Sequence, residues 1–260
     1  MQTGRRSECR TAAVRKGLPG PASDRVPQVH FFFDQQRCTG CGACAVACKD
    51  WNDVPAGGEA QWRRVYSSEF GRYPEVDVVH LCVSCLHCSE PACAKACPTG
   101  AIMKQAATGA VLVDRDICRG CRQCQRACPY GAPQYSPGDR RMMKCTFCVD
   151  RQAQGLKPAC VDACPYFALD AGTEAQLRAR HGALTPFAAG TLPGIDEEHA
   201  ATRPSLFVAV RALRAGGEPT TRRNGRIVGH LRSVPGPPPD EWRERARTPL
   251  VPKSRRDSCG

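Results

Sequence analysis

No run of apolar residues in this chain is long enough to cross a membrane. A helical span needs roughly 18 such residues, and the best stretch, Ser205–Leu213, is short and carries Arg211. Nor is an export signal expected. Arg5 and Arg6 could open a twin-arginine signal, but Arg10, Arg15, Lys16 and Arg25 leave no room for the apolar region that must follow. Membrane contact is therefore expected only through a partner, with no direct span. Aromatic residues make up only 6% of the chain, so no stacking surface for single-stranded nucleic acid is expected. The spacing Cys-x3-Cys-x2-Cys of a radical-SAM enzyme is absent as well. Three residues beyond Cys48, Cys97, Cys128 and Cys164 stand Trp51, Gly100, Gly131 and Phe167.

Cysteine is what the chain has in excess. It has 19, and sixteen of them fall into four groups. The first is Cys38-x2-Cys41-x2-Cys44-x3-Cys48. The second is Cys85-x2-Cys88-x4-Cys93-x3-Cys97, followed by Pro98. The third is Cys118-x2-Cys121-x2-Cys124-x3-Cys128, followed by Pro129. The fourth is Cys145-x2-Cys148-x11-Cys160-x3-Cys164, followed by Pro165. Four thiolates hold one [4Fe–4S] cluster, so these residues could hold four. A Cys-x2-Cys-x2-Cys turn wraps one corner of a cube, and the cysteine three residues further on points to a neighbouring cluster. The proline after it lacks an N–H and ends the short helix. Gly40 and Gly42 leave room for backbone amides to approach inorganic sulfide.

Zinc also takes Cys-x2-Cys pairs, but a structural zinc site needs two pairs and no third and fourth cysteine after each. A disulfide framework needs an oxidising compartment, and an odd number of cysteines suits it poorly. Four clusters within about 130 residues would supply much of the core themselves, as in other small metal-dependent domains.

The net charge of +12 has to be located before it is interpreted. Residues 1–34 carry six basic and three acidic residues, and residues 171–260 carry fifteen and nine. The middle, 35–170, has sixteen and thirteen, and clusters of roughly −2 each would turn it acidic. The basicity belongs to the two ends, and no nucleic-acid partner is expected.

Residues 1–28 read as a flexible basic leader. Val29–Asp34 is an apolar run expected to form a strand before the first group, and Gly109–Asp114 plays the same part before the third. Short strands are expected at Ala101–Lys104 and Phe167–Asp170. Residues 51–80 are an insertion whose aromatics are expected to pack over the clusters. Thr173 with Gln176 three residues on is a capping box, and Gly182 is a stop, so Thr173–His181 should be a short helix. Beyond it the chain is rich in Pro, Gly and Arg, with a proline-rich break at 235–239. That tail is expected to be disordered or ordered by a partner, Arg203–Leu213 being the segment a partner would order.

The segments FDQQRCTGCGACAVACKDWND (33–53), WRRVY (62–66), SCLHCSEPACAKACPTGAI (84–102), DICRGCRQCQRACPYGAPQY (116–135), MMKCTFCVDR (142–151) and GLKPACVDACPYFALD (155–170) carry a resemblance. Residues 29–182 resemble the iron–sulfur subunit of the dimethyl sulfoxide reductase family. The resemblance implies an α+β fold of two interleaved bacterial-ferredoxin-like modules, loop-rich with short strands and helices, plus an extended C-terminal tail. The inner module would be 81–135 and the outer 29–50 plus 142–170, within a domain of 29–170 followed by a tail from 171.

It also implies the sharing of ligands among four [4Fe–4S] clusters. Cys38, Cys41, Cys44 and Cys164 would hold the first; Cys48, Cys145, Cys148 and Cys160 the second. Cys85, Cys88, Cys93 and Cys128 would hold the third; Cys97, Cys118, Cys121 and Cys124 the fourth. The chain would catalyse no bond chemistry. It would pass electrons between a molybdopterin-containing catalytic subunit and a multispanning, quinol-oxidising membrane anchor, peripheral to the cytoplasmic membrane on a side left open. A soluble polyferredoxin-like carrier is the rival reading. Formate, polysulfide, tetrathionate and selenate oxidoreductases use similar subunits. Cys82 reads as a buried free thiol, Cys9 and Cys259 as leftovers, and His87, between two ligands, either tunes a potential or packs.

Overall fold

The computed structural model describes residues 28–55, 60–188, 201–214 and 221–223. The leader, most of the tail, Cys9 and Cys259 lie outside them.

Strand β1 (Val29–Asp34) is the hub. Side chains alternate across a strand, so Val29, Phe31 and Phe33 enter the core that includes Cys44, Cys85, Cys128, Cys145 and Cys160, while Phe32 packs with Leu177, Leu184 and Phe207 on the other face. Helix α1 (Ala43–Trp51) leaves the first group of cysteines. A long hairpin, β2 (Arg64–Arg72) and β3 (Glu75–Val83), leads to the second. Helix α2 (Ala92–Lys95) lies within the second group, and the hairpin of β4 (Ile102–Lys104) and β5 (Val111–Val113) separates that group from the third. Helix α3 (Gln123–Ala127) and the hairpin of β6 (Gln134–Ser136) and β7 (Arg141–Met143) lead to the fourth. There α4 (Val149–Gln152) and α5 (Ala159–Asp162) precede β8 (Leu169–Thr173) and α6 (Glu174–His181). Strands β9 (Thr185–Pro186), β10 (Leu206–Ala209) and β11 (Thr221–Arg223) complete the described elements.

A four-stranded sheet runs β8-β1-β10-β9. β1 is antiparallel to β8, with Phe33 opposite Leu169, and parallel to β10, with Phe33 opposite Val208. Both faces of β1 are buried, which is why its sequence reads as a continuous apolar run. Helix α6 has the full capping box: the Gln176 N–H donates to Thr173 Oγ1 at 3.3 Å, and the Thr173 N–H donates to Gln176 Oε1 at 2.9 Å.

Two expectations need correcting. The strand expected at Phe167–Asp170 begins at Leu169, because Phe167 takes a left-handed turn (φ 53°). Arg203–Leu213, expected to be ordered by a partner, runs through the protein's own fold. Its apolar centre, Leu206–Ala209, is buried as β10 in the chain's own sheet. Ser205 anchors it: its N–H donates to Leu86 O at 2.9 Å, its Oγ to His87 O at 3.0 Å, and its carbonyl accepts from the Phe31 N–H at 3.0 Å. In the insertion, Trp62, Tyr66 and Phe70 are buried and Tyr73 at the hairpin tip is exposed. Trp62 packs with Val54, Ala60, Met143 and Cys48. The hairpin strands of the insertion go beyond what the sequence reading expects there.

Candidate metal centres

Each group of cysteines uses the same backbone device. In the first Cys-x2-Cys turn of each group, the residue before the second cysteine is left-handed: Gly40 (φ 72°), His87 (φ 44°), Gly120 (φ 66°) and Phe147 (φ 59°). Such turns can point successive N–H groups into a concavity that suits an anion. At Gly40 the demand is double, because a Cβ would also lie 2.6 Å from the His80 ring. His87 and Phe147 lack glycine's freedom, and the strain costs each about 1–2 kcal/mol. Complete burial and an edge-on ring contact of 5.0 Å hold them there.

The Cys-Pro pairs act next. Helices α2, α3 and α5 stop after four or five residues, whereas α1, whose Cys48 is followed by Lys49 rather than proline, runs on to Trp51. Past each proline a second left-handed residue, Gly100, Gly131 or Phe167, sends its N–H back to the carbonyl of Cys97, Cys128 or Cys164 at 3.3, 3.1 and 3.1 Å. Helix α1 packs on α5, and α2 on α3. Groups one and four therefore face each other, as do two and three.

Of the four expected thiol quartets, two line cavities. Cys38, Cys41, Cys44 and Cys164 line a cavity of about 330 Å³, and Cys85, Cys88, Cys93 and Cys128 line one of about 350 Å³, both counting space open to solvent. Cys48 lies within electrostatic reach of Cys148 and Cys160, and Cys145 within reach of Cys48 and Cys160. Cys124 is similarly placed toward Cys97, Cys118 and Cys121. The quartets form a row. Cys44 of the first couples to Cys160 of the second, and Cys145 of the second to Cys85 of the third. Cys93 of the third and Cys124 of the fourth share an apolar cluster with Ile102, Val111 and Met142. Cys41 and Cys121, one at each end of the row, are exposed, while the second quartet is wholly buried.

Among the described residues no three His, Cys, Asp or Glu side chains could hold a single metal ion. Zinc would need its sulfurs about 2.3 Å from one point. Here the thiols stand around a volume, which fits a polynuclear group with thiolate ligands. Burial pushes the thiols of Cys38 and Cys124 up to about 11, and those of Cys48 and Cys88 up to about 12. It also raises Cys93, Cys128, Cys145 and Cys160. Only a bound cation would turn such thiols into thiolates at neutral pH, so loading must release protons.

Cys82, read from sequence as a free thiol, lines the first cavity. Its Sγ is 3.6 Å from Cys44 Sγ and 3.3 Å from Arg63 Nη1. The hydrogen bond with Cys44, and then the guanidinium, hold this thiol below its ordinary range. His87 is fully buried, and its Nδ1 accepts the Val111 N–H at 3.0 Å. Two residues at the site escaped the sequence reading, Arg63 and Lys144, both buried. Lys144 could have been suspected from its place beside Cys145. Nothing local separates Arg63 from its neighbour Arg64, which is half-buried and donates to Tyr130 O at 2.9 Å.

Two family profiles, each described as a 4Fe-4S dicluster domain, match residues 37–105 and 76–174. Over 212 residues the sequence is 45% identical to one of the chains of the anaerobic dimethyl sulfoxide reductase of Escherichia coli, an alignment covering 78% of this protein and 96% of that one. It belongs to that family of iron–sulfur subunits. Within the family its role is electron transfer. The counterpart from the Haemophilus influenzae anaerobic dimethyl sulfoxide reductase is 43% identical, over 70% of this protein and 88% of its own length. A sulfite dehydrogenase subunit of Allochromatium vinosum is 40% identical, over 53% of this protein and 65% of its own. No helix among the described residues is long and apolar enough to cross a membrane.

Proposed function

We propose that the protein holds four [4Fe–4S] clusters and serves as the internal wire of a dimethyl sulfoxide reductase-type respiratory enzyme. Cys38, Cys41, Cys44 and Cys164 ligate the first, and Cys48, Cys145, Cys148 and Cys160 the second. Cys85, Cys88, Cys93 and Cys128 ligate the third, and Cys97, Cys118, Cys121 and Cys124 the fourth. When bound, such clusters supply one-electron chemistry at potentials anywhere from about −700 to +450 mV. The observation that carries this reading is the row itself: adjoining quartets, buried in the middle and open at Cys41 and Cys121.

The protein's own part is to fix the spacing, exclude water from the middle, and present two ends. Tyr166 lines the same cavity as Cys41 and is exposed, an apolar contact suited to a molybdopterin-containing catalytic subunit. At the other end Ile117 is exposed near Cys121, and that end faces a quinol-oxidising membrane anchor. The protein is then peripheral to the membrane through its partner and makes or breaks no substrate bonds. Its dimethyl sulfoxide reductase relatives are each one chain of a larger enzyme, which supports membership of a multi-subunit complex.

The test is metal content followed by one substitution. Anaerobically purified protein should carry about sixteen irons and as many acid-labile sulfides. Cys121→Ser should turn the fourth cluster into a three-iron or hydroxyl-ligated form, seen by EPR. Quinol-linked turnover of the complex should fall while dye-linked reduction persists. Stoichiometric zinc without sulfide would end this reading.

A further inference from the structure

Among the described residues, two cations are buried in the core with no carboxylate partner. Arg63 is 4% exposed and Lys144 3% exposed. Burying a charge is expensive unless an opposite charge compensates it. Among the described residues, neither forms an ion pair with Asp or Glu, although their exposed counterparts do so repeatedly. Their neighbours are the cysteines. Arg63 donates to Cys82 Sγ at 3.3 Å, lies 4.7 Å from the centre of the Phe31 ring, and is within reach of Cys44 of the first quartet and Cys145 and Cys160 of the second. Its Nη2 is buried and has no hydrogen-bond partner among the described residues. Lys144 Nζ donates to Val111 O, to Cys145 O at 3.2 Å and to Cys85 Sγ at 3.5 Å. It thus stands where the second quartet meets the third.

A thiolate-ligated cubane is the anion each cation lacks, and the open Nη2 donor suits inorganic sulfide. We propose that Arg63 and Lys144 set the reduction potentials of the wire, each by placing a positive charge at the junction of two neighbouring cages. The inference rests on the four-cluster reading above. Reduction adds one electron, drawn from the titrant, and makes a cage one unit more negative with no bond made or broken. A cation beside the cage favours that form and raises the potential. Arg63 acts on the first and second clusters, Lys144 on the second and third. A guanidinium stays charged throughout, so the effect of Arg63 is permanent. Neither residue ligates iron; both act through the ligands.

The test uses the full-length protein, purified anaerobically, as wild type, Arg63→Gln, Arg63→Lys and Lys144→Gln. Iron and sulfide are assayed first, and reduction is followed by EPR-monitored titration. In Arg63→Gln, two reduction steps should fall so that the reduced form is at least tenfold less favoured, about 59 mV for a one-electron couple. Arg63→Lys should recover most of that shift. Lys144→Gln should lower a different pair of steps, sharing one with Arg63→Gln. Unchanged steps in Arg63→Gln or Lys144→Gln at full iron and sulfide overturn the proposal. So does an Arg63→Lys variant that falls as far as Gln, since shape rather than charge would then govern. If Arg63→Gln cannot retain its iron, Lys144→Gln decides by the same criterion, and an Arg63→Lys variant whose steps fall by a full tenfold overturns the proposal. Wild-type protein without labile sulfide would instead sink the four-cluster reading, a separate and recognisable failure.

Discussion

Replacing Phe207 with Ala tests whether β10 is part of the cluster-binding fold or an appendage to it. Phe207 is 6% exposed and packs with Phe32, Leu177 and Leu184, its ring 4.8 Å from that of His30. Truncating a buried Phe to Ala costs about 3–5 kcal/mol. The cluster around it has only four buried members, so it can partly collapse, and the lower end, about 3 kcal/mol, applies. At about 1.4 kcal/mol per factor of ten, that is roughly a hundredfold shift in the opening equilibrium of the sheet. The reporters are amides of β1 and its exit: the Phe31 N–H donates to Ser205 O, and the Gln35 N–H to Ala209 O at 2.9 Å. Hydrogen exchange on the cluster-loaded protein should speed up about a hundredfold at both. The β4–β5 hairpin, in another sheet, should keep its protection. If Phe31 and Gln35 exchange at wild-type rates in the variant, β10 does not hold β1 in place and the reasoning fails.

Gly120→Ala should strip the fourth quartet selectively. The added Cβ would lie 2.2 Å from the Arg140 carbonyl oxygen at a φ of +66°, a conflict that neither backbone can relieve cheaply. Iron content should fall by about a quarter, and full iron would contradict the assignment of that turn. Asp170 predicts a response to acid. Burial raises its carboxyl, but hydrogen bonds from His181, the Ala171 N–H and Lys157, with the Arg180 charge, outweigh that and leave it below the ordinary value. A depressed carboxylate stabilises the fold above its unfolded value, near 3.9, and loses that contribution as pH falls through the folded value. Asp170, 7% exposed, should therefore be worth about 1.5–3 kcal/mol at neutral pH. Asp170→Asn should be less stable at pH 7 and lose part of the wild type's decline below pH 4, measured by thermal loss of cluster absorbance. Equal acid sensitivity in both proteins would count against the pairing.

Some of this molecule was decided within a few residues of each other, and there the sequence sufficed. The cysteine spacing, the helix stops at Cys-Pro and the Thr173 capping box are local, since each depends on steric and hydrogen-bonding demands between neighbours. The run at Val29–Asp34 read correctly as a strand for the same reason. Other features required the polypeptide to return on itself. The left-handed turns at His87 and Phe147 carry no glycine signature, because their strain is held by packing between two distant groups. The parallel pairing of Leu206–Ala209 with β1 is non-local, and a short apolar stretch does not announce its partner, so a segment expected to need another subunit lies inside the protein's own sheet. Nor could spacing place Cys82 beside Cys44 or distinguish Arg63 from Arg64. Which of two adjacent side chains is buried depends on which face the core occupies, and the tertiary fold alone determines that.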